Sequence, residues 1–194
     1  MKHEPQGRTL SLGLAMIGAL ALGATFVQPA SSGSGAEVAV VFAPTGPSRQ
    51  VHKAVIGELS KVRKSIDVAC FQFTSTPLAR TLATLSKRCR VRVLLDHRSA
   101  FGTKVSQHKF LISKGVQVRY VKLPGKGYMA PKFHHKFAVL DGREVLTGSY
   151  NWTILADEKN YENLVVIRDK NVAKKFAAEF ERIWNDKEVI TLPK

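Results

Sequence analysis

The sequence predicts an α/β domain built on a mixed, largely parallel sheet with helices on both faces. Two observations carry that expectation. Between residues 39 and 121, short apolar runs alternate with stretches whose apolar side chains recur every three or four positions, the pattern of strand–helix units. After residue 136 the pattern changes to closely spaced strands around an Asp-Gly turn and ends in one long amphipathic helix. At 194 residues the chain suffices for one well-buried core.

Taken in order, Ala39–Phe42 reads as a short strand closed by Pro44, Gly46 and Pro47. Val51, Val55, Leu59 and Val62 mark a helix within Ser48–Lys64. Ile66–Phe73 is a buried strand, and Thr76-Pro77 opens a helix whose apolar face is Leu78, Leu82 and Leu85. Val91–Leu95 is a strand ending at Asp96. A shorter helix over Val105–Ser113 stops at Gly115, and Val116–Val121 is another strand. Leu123–Lys132, with Pro124, Gly125, Gly127 and Pro131, is a loop. Phe137–Leu140 and Val145–Thr147 form a hairpin across Asp141-Gly142, followed by a strand at Leu164–Ile167. The last helix runs from about Val172 to Trp184 and buries Val172, Phe176, Phe180, Ile183 and Trp184. Residues 37–185 thus form one domain, and 186–194 a tail without a strong signal.

Residues 1–36 have the three parts of a cleaved secretory signal peptide with a small-residue linker. Lys2 and Arg8 come first, Leu10 to Val27 is uncharged and apolar, and Ser31 to Ala36 is small and flexible. The expectation is export, to the periplasm or the medium. The competing reading is an uncleaved N-terminal membrane anchor, since the apolar stretch just reaches spanning length.

The chain carries 30 Lys+Arg against 15 Asp+Glu, a net +15. Such a surplus predicts attraction to polyanions, nucleic acid or an anionic membrane, against the plainer reading of a solvated basic surface. Losing residues 1–36 removes Lys2, Arg8 and Glu4, so the basic character belongs to the domain. Cys70 and Cys89, in a core strand and at a helix-to-strand turn, read as free thiols; no paired CxxC points to zinc.

The chemistry is concentrated between residues 134 and 163. His134, Lys136 and Asp141 stand as H-x-K-x-x-x-x-D, and Gly148, Ser149 and Asn151 as G-S-x-N. His134 and Lys136 are two apart at a strand start, so their side chains leave from one face: a nucleophile with a cation beside it. Ser149 and Asn151, also two apart, add a hydroxyl and an amide. Together they form a nest of donors for the non-bridging oxygens of a phosphodiester. Imidazole attack on phosphorus gives a phosphohistidine, splitting one hard displacement into two easier ones. His135 alternates to the opposite face and reads as structural.

This stretch resembles the phospholipase D superfamily, whose signature is that pair of motifs; Trp152-Thr153 and Glu162-Asn163 match as well. The resemblance implies the phospholipase D/nuclease fold. It makes His134 the nucleophile, Glu162 the group that orients it, and Lys136, Ser149 and Asn151 the phosphate ligands. Asp141 and Gly148 become structural members of the motif. Only one His-x-Lys occurs, so the resemblance to short, single-motif bacterial endonucleases implies a homodimer. There His134 of one copy attacks while His134 of the other serves as general acid. Neither cofactor nor metal is expected, because Lys136 takes the cation's role.

The motif leaves the substrate open. A metal-independent, low-specificity endonuclease on DNA, with RNA second, is favoured by the charge and by Lys122, Lys126 and Lys132 flanking the loop before His134. The alternative is a phospholipase D acting on membrane lipid of phosphatidylcholine or cardiolipin type. The C-terminal part is similar to the mitochondrial cardiolipin hydrolase/small-RNA nuclease branch, though without that branch's Cys/His zinc insertion. Tyr128–Pro131 is the one short segment suited to dip into a bilayer.

Overall fold

The computed structural model describes residues 35–44, 48–127 and 129–193. The segment expected to be a signal peptide or anchor lies, but for Gly35 and Ala36, outside the described residues, as do Gly46, Pro47 and Tyr128.

The chain alternates as expected in its first part: β1 (Glu37–Ala43), α1 (Gln50–Lys61), β2 (Ser65–Cys70), α2 (Thr76–Leu85), β3 (Arg90–Asp96), α3 (His97–Phe101), α4 (His108–Ser113) and β4 (Gln117–Val121). The second part is β5 (Lys136–Leu140), β6 (Glu144–Gly148), α5 (Ile154–Glu158), β7 (Glu162–Arg168), α6 (Lys170–Trp184) and β8 (Ile190–Thr191). Side-chain caps set several helix starts. Ser75, Asp96, Thr153 and Asp169 accept from Leu78, Ser99, Ala156 and Val172 backbone N–H groups.

Among the described residues the strands form one sheet in the order β1-β7-β6-β5-β2-β3-β4-β8. The mixed α/β class is as expected, but the parallel share is smaller. Only β2–β3 and β3–β4 are parallel, and the other neighbours are antiparallel. The cause is local. Parallel neighbours need a crossover, and α2 and then α3–α4 supply them; the Asp141-Gly142 hairpin and the tail can only reverse the chain.

Helices cover both faces. Along β2 and β3 the alternation sends Val68, Cys70, Val93 and Leu95 into one core, which Val55 and Leu59 of α1 and Leu78 and Leu82 of α2 share. Ala69 and Leu94 face the other, closed by Phe180, Ile183 and Trp184 of α6. Burial on both sides explains why these strands read as continuous apolar runs. α6 is also fastened by charge. Arg92 of β3 grips Asp67 through Nε at 2.7 Å and Nη2 at 2.9 Å, reaches Glu181, and lies over the rings of Phe180 and Trp184.

Both cysteines are free thiols. β8, which the sequence left as tail, pairs with β4 through Tyr120 and Val121. Among the described residues, no helix is long and apolar enough to cross a membrane.

Candidate active site

β5 carries the first motif. Its first residue, Lys136, is paired with Cys70 in the middle of the sheet, so the ammonium group rises from a rigid base. His134 lies two residues before the strand, in a segment without regular secondary structure, and is exposed. Lys136 Nζ lies 3.2 Å from His134 Nδ1, 3.3 Å from Nε2 and 2.9 Å from the His134 carbonyl oxygen. Beneath both sits Phe71, its ring 4.8 Å from the imidazole and 5.4 Å from Nζ. Partial burial and then the neighbouring Lys136 and Lys132 hold the His134 pKa below the usual imidazole value. Burial likewise depresses Lys136, with Cys70 and Glu162 opposing. The ring is therefore neutral, and nucleophilic, at neutral pH.

The second motif leaves β6 through Gly148, whose φ is +142°. A Cβ there would overlap the Asn163 carbonyl oxygen of β7, so only glycine fits. Tyr150 and Trp152 are buried, and Trp152 exchanges backbone hydrogen bonds with the segment after Phe71: its N–H reaches Gln72 O at 3.1 Å and its carbonyl accepts from Thr74 and Ser75. This clip brings the G-S-x-N segment beside the first motif and sets Phe71 against His134. Ser149 Oγ donates to Glu162 and accepts from Asn163 N–H at 3.1 Å. Asn151 Oδ1 is buried with no hydrogen-bond partner among the described residues.

Glu162 differs from expectation. Its carboxylate takes Ser149 Oγ and, at 3.3 Å, Asn160 Nδ2; no hydrogen bond to the His134 ring forms. The turn at Gly148 swings Ser149 onto the first residue of β7, and the Glu162 carboxylate is taken up there. Glu162 is therefore linked to His134 only through its charge on Lys136.

Asp141 sits at the far end of β5. Its carboxylate accepts from the backbone N–H groups of Arg63 at 2.9 Å, Lys64 at 2.7 Å and Ser65 at 2.9 Å. Burial alone would raise its pKa, but those amides hold it below the usual carboxylate value. His135 turns to the other side of the strand, between the rings of Phe133 and Phe137 and near Glu179.

Three further residues have no motif signal. Asp96, buried at the end of β3, caps α3 through Ser99 N–H at 2.8 Å and accepts Phe133 N–H at 3.1 Å, directly before His134. Arg98 donates to the carbonyls of Leu123, Pro124, Gly125 and Pro131, drawing both ends of the loop before His134 together. Phe71 is the third. A strand ending in a buried carboxylate is a usable hint for Asp96, since ligand sites gather outside strand C-termini; Arg98 offers none.

His134 lines a groove of about 480 Å³; a second groove, of about 450 Å³, is lined by Phe71, which lies against the His134 ring, and Lys132 lies on the wall of both. Among the described residues no group of three or more His, Cys, Asp or Glu could hold a metal ion.

Comparison with known proteins gives consistent results. The family described as "Cardiolipin synthase, PLD-like domain" matches residues 55–184. The mitochondrial cardiolipin hydrolase of Xenopus laevis is 41% identical over 132 residues, covering 66% of this chain and 59% of that protein. The human protein is 41% identical over 127 residues, 65% of this chain and 48% of its own length. The chain thus spans only half to three fifths of these relatives. Among solved structures, Nuc of Salmonella typhimurium, a phospholipase D family member, superposes with TM-score 0.67 at 26% identity, over 78% of this chain and 95% of Nuc. NucT from Helicobacter pylori gives 0.72 at 24% identity, over 82% of this chain and all of NucT, a likeness of fold.

Proposed function

The chain belongs to the PLD-like domain family, and from that premise we propose that it hydrolyses phosphodiesters, foremost in DNA, through a phosphohistidine on His134. The observation that carries the reading is the neutral His134 ring, exposed and in contact with the Lys136 ammonium group.

A ring nitrogen of His134 forms a bond to phosphorus as the bond to the leaving oxygen breaks. Lys136 and the Asn151 amide bind the non-bridging oxygens as charge builds on them. Ser149 donates to Glu162 and its oxygen accepts from the Asn163 N–H and Nδ2 groups, so it donates to phosphate only if Glu162 releases its proton. The leaving oxygen takes a proton from His134 of a second copy of the chain, brought to the same phosphate by a two-fold axis and protonated on substrate binding because the negative charge of the phosphodiester favours its imidazolium form. That imidazole then accepts a proton from water as water attacks phosphorus. The P–N bond breaks, and both rings return to their starting states. The chain's own His-x-Lys occurs once, which is why a second copy is needed. Lys136 supplies the positive charge, so turnover requires no divalent ion in this reading.

Nucleic acid is favoured over lipid by the +15 charge and by the lysines before His134. The second reading, hydrolysis of phospholipid, is favoured by the 41% identity to cardiolipin hydrolases. The deciding experiment incubates purified protein with plasmid DNA and with phosphatidylcholine and cardiolipin vesicles in excess EDTA. Plasmid nicking that His134→Ala abolishes supports the nuclease. Lipid turnover without nicking replaces it with the lipase, and activity that returns only with added magnesium contradicts the mechanism.

A further inference from the structure

A carboxylate outside the motif stands directly upstream of the nucleophile. Asp96 ends β3, only 4% exposed, and divides its two oxygens between two segments. Oδ1 accepts Ser99 N–H at 2.8 Å, and Oδ2 accepts Phe133 N–H at 3.1 Å. The first bond caps α3. The second holds the residue before His134, whose other neighbour, His135, is held through its carbonyl by Phe71 N–H at 2.8 Å. The exposed imidazole therefore rises from main chain that is pinned on both sides.

Capping alone does not explain this carboxylate. Ser75 and Thr153 cap α2 and α5 with hydroxyls, and a hydroxyl would serve α3 as well. What a hydroxyl lacks is a second oxygen turned to another segment, and a negative charge. That charge acts at His134. Burial, then Lys136 and Lys132, with His135 after them, push the ring toward its neutral form, and Asp96 opposes them. The other carboxylates nearby are engaged elsewhere. Across the groove on α6, Glu179 pairs with Arg182 and lies 3.7 Å from His135, and Asp186 accepts Glu188 N–H. Glu162 is taken up by Ser149 and Asn160.

We propose that Asp96 is the positioning residue of His134, the part expected of Glu162. It sets the place of the ring through the Phe133 amide, and its charge keeps the ring able to take up the proton that the leaving oxygen needs. The proposal rests on the phosphohistidine reading and deepens it, since the same imidazole attacks when neutral and serves as acid when protonated.

The test compares Asp96→Asn with Glu162→Gln. Asparagine caps helices as well as aspartate does, so α3 keeps its start while the charge and the Phe133 acceptor are lost. NMR follows the His134 ring through a pH titration without substrate. In Asp96→Asn the midpoint should fall by about 0.5 pH, and in Glu162→Gln it should move less. On plasmid DNA, Asp96→Asn should lose about 10- to 100-fold in kcat with KM within about threefold, and the acid limb of kcat/KM should follow the ring to lower pH. An unmoved or raised midpoint in Asp96→Asn, or a larger fall in Glu162→Gln, overturns the proposal. If the asparagine variant does not fold, the wild type decides by hydrogen exchange. A Phe133 amide slowed at least about 100-fold against an unstructured chain supports the proposal, and exchange at the free rate overturns it. Nicking retained in His134→Ala, with the ring titrating as expected, removes the phosphohistidine reading and the role of Asp96 in the reaction, while its hold on the ring stands.

Discussion

The two ends of β5 carry letters of the same motif and are built in opposite ways. At the Asp141 end the carboxylate is saturated by three backbone amides, which tie the hairpin to the start of β2. At the His134 end an exposed imidazole stands against an ammonium group, both pushed from their ordinary pKa values by burial, with a further lysine near. Satisfied groups stabilise a fold, whereas strained titration equilibria at an open surface serve chemistry. One five-residue strand therefore joins a saturated end to the end at which the proposed chemistry takes place.

His134→Ala should sharpen the contrast most: at least about a 10⁴-fold loss of plasmid nicking with an unchanged unfolding temperature. Nicking retained within tenfold would place the nucleophile elsewhere. Lys136→Met is next, with a loss of about 10²–10³-fold in kcat. Because Lys136 helps hold the His134 pKa down, the acid limb of the kcat/KM profile of this variant should move to higher pH. In the wild type that limb lies below about pH 6.5. An unmoved limb would mean that Lys136 acts on phosphate alone.

Arg98→Ala tests the loop that delivers His134. Losing four carbonyl contacts should cut kcat about 10-fold, with small diesters and polynucleotides affected alike. Asp141→Ala should do the reverse of His134→Ala, costing about 1–3 kcal/mol of stability in urea unfolding while activity per folded molecule holds. The sign with pH follows from its depressed pKa. The contribution is full above the unfolded carboxylate value, about 3.9, and is lost as pH falls through the lower folded value. An Asp141 variant that is stable but inactive would erase the distinction between the two ends.

Much of this was legible in residue order. Val172, Phe176, Phe180 and Ile183 announce α6, Asp141-Gly142 announces the hairpin, and the reactive pair is written as His134-x-Lys136. What escaped has a physical reason in each case. α3 and α5 are five residues long, too short to show a period, and β8 has two residues whose pairing with β4 is set by where α6 ends. The sheet's sense is decided by connection length rather than strand composition. Glu162 meets Ser149 instead of His134 because a glycine at φ +142° redirects the chain, and torsion is not visible in a letter. Asp96 and Arg98 act on backbone groups some thirty residues away, which no local pattern reveals.

The most direct measurement is rapid alkaline quench of a single turnover, followed by peptide mass spectrometry. A phosphoryl adduct on the peptide containing His134, absent from His134→Asn and lost on brief acid treatment, is the predicted result. An adduct on any other side chain, or full turnover with none formed and inversion at a chiral phosphorothioate centre, would contradict the account.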